Sequence, residues 1–232
     1  MNLFKNIYKF KNKQALVCEN NEILKYGDLL SFTDNISKKI KERCLVFLIC
    51  NNNLESIVGY LSFLKTNCVI NLIDYRIDNK HLDKLIKIYR PTYIFLSKNK
   101  SNFIADYSVI ETFIDYVLIE SKFNFKINLN DKLCLLVSTS GSTGTPKNVR
   151  ISYENIENNV ESIINSLKIS HDDISITTLP MSYVYGLSII NTHFAMGAKI
   201  VLNNKSIIHK KFWQLFYLHK VNNFGGVPYT YQ

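Results

Sequence analysis

Three short runs in the first half of the chain are apolar almost throughout: CLVFLIC (Cys44 to Cys50), CVINLI (Cys68 to Ile73) and TYIFLS (Thr92 to Ser97). A strand with one wet face alternates polar and apolar residues; a strand apolar on both faces must be covered on both. Covers stand between the runs. NLESIVGYLSFLKT places Ile57, Leu61 and Leu64 at helical spacing, with Asn53 as a candidate N-cap. NKHLDKLIKIY puts Leu82, Leu85, Ile86 and Tyr89 on one face, with Asp78 as its cap. Strand–helix–strand alternation of this kind predicts an α/β fold: a mostly parallel sheet with helices on both faces and right-handed crossovers.

Around this centre the reading is coarser. ALVCEN and EILKY flank Asn20-Asn21 as a hairpin, and a helix is expected from about Asp28 to Glu42. KNKSN reads as a surface loop, VIETFIDYVLIES as one or two strands, and Lys132 to Val137 as a further strand. A helix capped by Ser152 follows to about Leu167, then a strand in ISITTLP, a helix from about Tyr185 to Met196, a strand AKIVL, a helix from about Ile208 to Lys220 and a last strand starting in FGGVP. No internal repeat is present. The expected division is a first α/β subdomain over 1–131 and the start of a second over 132–232.

With 47% hydrophobic and 20% charged residues, the chain has the profile of a folded domain. No apolar run approaches the roughly 20 residues that span a bilayer, and Lys5, Lys9 and Lys11 break the N-terminus before a signal core can form. A cytoplasmic protein without a membrane span is expected. The 5 cysteines are odd in number and form no C-x-x-C pair, which reads as buried small hydrophobes rather than a disulfide framework or a zinc site. The net charge of +9 is scattered over polar helix faces such as SKKIKERC, which speaks against a dedicated nucleic-acid surface and leaves attraction to an anionic substrate.

The chemistry concentrates in LLVSTSGSTGTPKNVRISYENI, from Leu135 to Ile156. Only 8 glycines occur in the 232 residues, yet Gly141 and Gly144 stand three apart among hydroxyls, directly before Pro146 and Lys147. Glycine lets backbone approach an anion. Consecutive N–H groups can converge on its oxygens, and the hydroxyls of Thr139, Ser140, Ser142 and Thr143 add donors. Lys147 supplies a point charge suited to phosphate. The same residue types also make ordinary surface turns. The spacing is not the Walker G-x-x-x-x-G-K-[ST], and there is no G-x-G-x-x-G.

The ordered string is more specific than its composition. Thr139-Ser140-Gly141-Ser142-Thr143-Gly144-Thr145-Pro146-Lys147 closely resembles the phosphate-binding signature of the acyl-adenylate-forming superfamily, which includes acyl-CoA synthetases, peptide-synthetase adenylation domains and luciferases. Two positions depart from the pattern: Ser138 stands where an aromatic is common, and Asn148 where glycine is usual. The resemblance extends along the chain. LKYGDLL looks like the family's early tyrosine-containing helix start, and CVINLI like its strand after the first crossover. LPMSYVYGLSIINTHFAMGAKIVL looks like the segment that brings an aromatic or histidine toward the acyl substrate, and GGVPYTY like the turn leading to the acyl pocket.

The resemblance implies a carboxylate–thiol ligase. ATP and Mg2+ activate a small carboxylic acid as acyl-AMP, and the thiol of CoA or of a phosphopantetheine-bearing acyl carrier protein then displaces AMP. It implies phosphate binding by Thr139, Ser140, Gly141, Ser142, Thr143, Gly144 and Lys147, with Lys147 in the catalytic role, and an acyl pocket touching Tyr183, Gly186 and Gly226. Tyr183 falls where many acyl-CoA synthetases carry histidine. The family's adenine-stacking aromatic, magnesium-binding glutamate, ribose-binding aspartate and C-terminal lobe have no counterpart in residues 1–232. This implies an N-terminal fragment that is inactive by itself, its missing part supplied in a longer frame or by a separate chain. The alternative is a non-catalytic remnant that keeps the fold and at most weak phosphate binding.

Overall fold

The computed structural model describes residues 7–231 apart from 103, 105, 123–126 and 140–146, and describes no side chain at Thr139, Lys147, Tyr229 or Tyr231. It divides into two compact units, one formed by 1–32, 51–54 and 154–232, the other by 33–50 and 55–153.

The second unit is built on a seven-stranded sheet in the order β6-β7-β5-β3-β4-β8-β9. β3 (Leu45–Cys50), β4 (Val69–Asp74), β5 (Tyr93–Ser97) and β8 (Leu133–Thr139) are its parallel centre. At the edges β6 (Tyr107–Phe113) and β7 (Tyr116–Ser121) form one antiparallel hairpin, and β9 (Lys147–Ser152) returns antiparallel along β8. Every residue of β3 is buried, as its unbroken apolar run requires.

Each sheet face has its own helix. Leu45, Phe47, Ile49, Val69, Ile73, Ile94 and Leu96 cluster with Leu82 and Leu85 of α3 (Asn79–Tyr89). Asp78 caps that helix by accepting the His81 N–H at 2.9 Å. On the opposite face, α2 (Leu54–Lys65) comes so close at Gly59 that an added Cβ would lie 2.5 Å from Phe95 Cδ1 and 3.1 Å from Leu48 Cδ1.

The first unit carries a four-stranded sheet in the order β10-β11-β1-β2, formed by β1 (Gln14–Val17), β2 (Ile23–Lys25), β10 (Ile174–Ile176) and β11 (Lys199–Val201). β1 and β2 are the expected antiparallel hairpin, and β1 pairs in parallel with β11. Helix α6 (Val184–Met196) is buried over most of its length and ends at Gly197, φ 69°. Tyr26, first residue of α1 (Tyr26–Ser37), is fully buried and donates its hydroxyl to the Ala198 carbonyl at 2.6 Å. The remaining helices are α4 (Lys98–Ser101), α5 (Tyr153–Leu167) and α7 (Lys210–Leu218).

Three expectations are corrected. The first helix stops at Ser37 and not near Glu42, because the Ser37 hydroxyl bonds back to the Thr33 carbonyl at 2.7 Å and the chain then tightens into the turns Lys39 N–H to Ile36 O and Ile40 N–H to Ser37 O. FGGVP forms no strand. Only Asn223 makes an isolated bridge, to Ser175, and Pro228–Tyr231 winds as a 3-10 turn, since Pro228 has no N–H to give a ladder. Nor does a boundary at 131/132 match either unit, because β8 and β9 extend the sheet begun by β3 and β4. No helix among the described residues is long and apolar enough to cross a membrane.

Candidate functional site

Strand β8 enters the sheet through its apolar half. Cys134, Leu135, Leu136 and Val137 are buried, and Ile70, Asn71 and Leu72 of β4 pair with residues 135–137 in parallel register. Its polar end therefore emerges at the edge where the parallel strands have their carboxyl ends, the side on which open α/β sheets bind ligands. β9 returns with Val149 opposite Val137, Asn148 opposite Ser138 and Lys147 opposite Thr139. The antiparallel ladder thus holds the two ends of the glycine–hydroxyl stretch as a cross-strand pair.

Of the signature residues, Ser140, Gly141, Ser142, Thr143, Gly144, Thr145 and Pro146 lie outside the described residues, as do the side chains of Thr139 and Lys147. The base of the loop is described. There the Ser138 hydroxyl donates to Asn148 Oδ1 at 3.0 Å. The two positions that depart from the family pattern are partners in this chain, joining the strands one step below the loop. At the same sheet edge Asp74 is occupied by Arg76, at 2.9 Å from Nε to Oδ1 and 2.8 Å from Nη2 to Oδ2.

The residues carried over for the acyl pocket all belong to the first unit. Tyr183 is the N-cap residue of α6 and 56% exposed; Val184, Tyr185 and Val227 add further exposed apolar surface. Gly186, in the first turn, is buried, and its lack of a Cβ is structural: an added Cβ would stand 2.3 Å from the Pro180 carbonyl oxygen and 2.8 Å from that of Leu179. Gly226 is half-buried. Its neighbour Gly225 lies against α6, where an added Cβ would be 2.5 Å from Ile189 Cδ1 and 3.2 Å from Tyr185 Oη, and its carbonyl accepts from the Thr178 hydroxyl. The structure thus gathers the Thr178–Pro180 segment, the start of α6 and the glycine pair in one unit. The phosphate-type hairpin stands in the other.

Sequence reasoning missed Asn52. It named Asn53, the residue directly before α2, as a cap and passed over its neighbour Asn52, the buried amide whose bonds run to 179, 181 and 203. Three consecutive asparagines after a strand signal a loop but not which of them reaches across it.

The chain matches the family model described as AMP-binding enzyme over residues 3–232. It is 32% identical over 99 residues to the oxalate–CoA ligase of Saccharomyces cerevisiae, which covers 41% of this chain and 18% of that protein. It is 26% identical over 159 residues to a D-alanine–D-alanyl carrier protein ligase of Staphylococcus aureus, covering 66% and 32%. The chain therefore spans about a third or less of the length of these curated relatives. Among solved structures, ATP-bound MatB from Rhodopseudomonas palustris superposes with a TM-score of 0.81 at 18% identity over 99% of this chain and 50% of that one. The O-succinylbenzoate coenzyme A synthetase MenE from Bacillus subtilis, in complex with AMP, does so at 0.77 and 16% over 99% and 62%. The fold is that of the corresponding part of these structures, and with the family match running over residues 3–232, the chain belongs to the AMP-binding enzyme family.

Proposed function

We propose that this chain carries the phosphate-holding and acyl-side share of an ATP-dependent carboxylate–thiol ligase. The observation that supports the reading is the β8–β9 pairing, which sets Thr139 opposite Lys147, the two ends of the string, at the carboxyl edge of a parallel sheet. A carboxylate is a poor acyl donor because its leaving group would be oxide. Attack of its oxygen on the α-phosphorus of ATP breaks the bond to pyrophosphate and leaves an acyl-AMP. A thiol, of CoA or of a carrier protein, then attacks the acyl carbon, AMP departs with the former carboxylate oxygen, and the thiol loses its proton.

In this scheme the loop amides and hydroxyls and the Lys147 ammonium bind the β- and γ-phosphates, orient the α-phosphate and stabilise the charge gathering on pyrophosphate. Tyr183 and the Gly225–Gly226 backbone border the acyl group. The stretch Thr139–Lys147 contains no carboxylate, and among the described residues no three His, Cys, Asp or Glu side chains are grouped to hold a metal. The donors here suit phosphate oxygens rather than a cation, and Mg2+ rests on the family resemblance.

The test is ATP binding by residues 1–232, by calorimetry, in the wild type and in Lys147→Ala. We expect salt-sensitive binding that weakens about tenfold or more in the variant, as for loss of one charged donor to an anion, with an unchanged thermal midpoint. Equal binding would make the loop an ordinary turn. Residues 1–232 alone are expected to give no carboxylate-dependent ATP–pyrophosphate exchange. If the whole natural protein gives none either while binding ATP, the chain is the non-catalytic form of the fold.

A further inference from the structure

Asn52 is 4% exposed, and each polar group on its side chain is used. Its Nδ2 donates to the Leu179 and Asn203 carbonyls, both at 3.2 Å, and its Oδ1 accepts the Met181 N–H at 3.1 Å. Only one amide orientation satisfies this set, because the flipped form would set two donors against each other at Met181 and an oxygen against two carbonyls. The main chain of Asn52 is held as well. Its N–H donates to Asn204 Oδ1 and its carbonyl accepts from Asn204 Nδ2, each at 3.2 Å. Asn203 is fixed in turn by Thr177, whose hydroxyl donates to its carbonyl at 2.9 Å and accepts its N–H at 2.8 Å. A buried amide with all its bonds made is a rigid object.

What it grips is the turn that starts α6. Asn52 holds the residues on either side of Pro180, at Leu179 O and Met181 N–H. The Pro180 carbonyl points the other way and accepts the Tyr183 N–H at 3.0 Å. Gly186 closes the turn from the helix side, where any Cβ would strike that same carbonyl. The main chain leading into Tyr183 is thus tied to an amide far back in the sequence. We propose that Asn52 is the positioning residue of the acyl side, holding Leu179–Met181 so that Tyr183 meets the carboxylic acid in one orientation. The assignment rests on the ligase reading above for what Tyr183 meets, but not for the clamp itself.

Two arms test it. The first is amide hydrogen exchange on residues 1–232 in Asn52→Leu, which removes every side-chain bond, and in Asn52→Asp, which keeps an acceptor for Met181 and loses both donations. Expected is at least about tenfold faster exchange at Met181 and Tyr183 in Asn52→Leu, with Met181 protection retained in Asn52→Asp. Leu202, which donates to the Val17 carbonyl within the sheet, should be unchanged. Unaltered exchange at Met181, or loss spread equally to Leu202, overturns the clamp. If Asn52→Leu does not fold, Asn52→Asp still decides, since loss of Met181 protection there contradicts the assigned bonds.

The second arm is ATP–pyrophosphate exchange in the whole natural protein, scanned over short- and medium-chain monocarboxylic acids. Asn52→Asp should raise the KM for the acid about tenfold and leave that for ATP within about twofold. Equal rises would make Asn52 a residue of general stability and overturn its positioning role. If the wild type exchanges with no acid, the ligase reading fails and the first arm alone judges the clamp.

Discussion

Asn71 sits in the middle of β4, paired in register with Phe47 on one side and Leu136 on the other. It is fully buried, both neighbours belong to the apolar cluster, and neither Oδ1 nor Nδ2 has a hydrogen-bond partner among the described residues. A buried water would need two or more polar partners, and Phe47 and Leu136 offer none. An unpaired buried donor or acceptor costs about 1–3 kcal/mol. Leucine has the same branching with methyls in place of the amide atoms, and its extra volume in a packed core costs about 1 kcal/mol. Asn71→Leu should therefore stabilise the protein by about 2 kcal/mol, which for a chain of this size raises the midpoint by about 4–8 °C. Calorimetric melting of wild type and variant gives the answer. Asn71→Asp, which would bury a charge there, should be strongly destabilising. A midpoint for Asn71→Leu equal to or below that of the wild type would refute the reasoning and mean that the amide is satisfied.

Two further substitutions follow from close packing and from burial. Gly186→Ala gains about 1 kcal/mol of helix propensity but drives a methyl into the Pro180 carbonyl, an overpacking cost of about 1–3 kcal/mol; a lower midpoint is expected, and a higher one would show that the turn yields freely. Burial pushes the carboxyl of Glu55 above the ordinary range, opposed by backbone N–H groups at Glu55 and Asp115. The folded state thus keeps this proton to higher pH than the unfolded chain, so the associated stability is full below the ordinary carboxyl pKa and is lost as pH rises through the raised one. The melting-temperature difference between Glu55→Gln and wild type should accordingly grow more positive from about pH 4 to about pH 7. A difference that shrinks would mean that the N-terminus of α2 favours the charge more than burial opposes it.

The parallel centre was legible because covered strands cannot be anything but apolar, and α3 because Asp78, Leu82 and Leu85 state its start and its face in one short segment. The β6–β7 hairpin was ambiguous for a local reason. Its turn is Ile114-Asp115, and Ile114 takes φ 52°, a left-handed conformation that a β-branched residue rarely adopts. The first helix was read too long because Ile36 and Ile40 are both buried and four apart, as a continuing helix would have them, but Ile40 arrives through tight turns. The extent of the units was not legible, since Leu16 pairs with Ile200 and no local pattern announces that. The phosphate string could be read because its information is in its order. Asn52 could not, because its side chain meets only main-chain groups, two carbonyls and one N–H, that almost any residue would provide.

The strand order also dictates a sequence of events at the ribosome. In the larger sheet the first strand made, β3, is central, and the later ones are added outward: β4 on one side and β5 on the other, the β6–β7 hairpin beyond β5, then β8 and β9 beyond β4. Apart from β6, which pairs with β7 as the hairpin closes, each finds its neighbour already synthesised, so this sheet can be complete once Ser152 has emerged. The smaller sheet has the opposite history. β1 emerges before all of these but must wait for β11 at residues 199–201, roughly 10–40 s at about 5–20 residues per second. During that interval the edge of β1 that will receive β11 is unpaired, the state in which strands recruit other chains. A chain stalled after Tyr153 should accordingly resist protease within the strands of the larger sheet and be cut at 14–25, and aggregation of the unfinished protein should begin at that N-terminal hairpin.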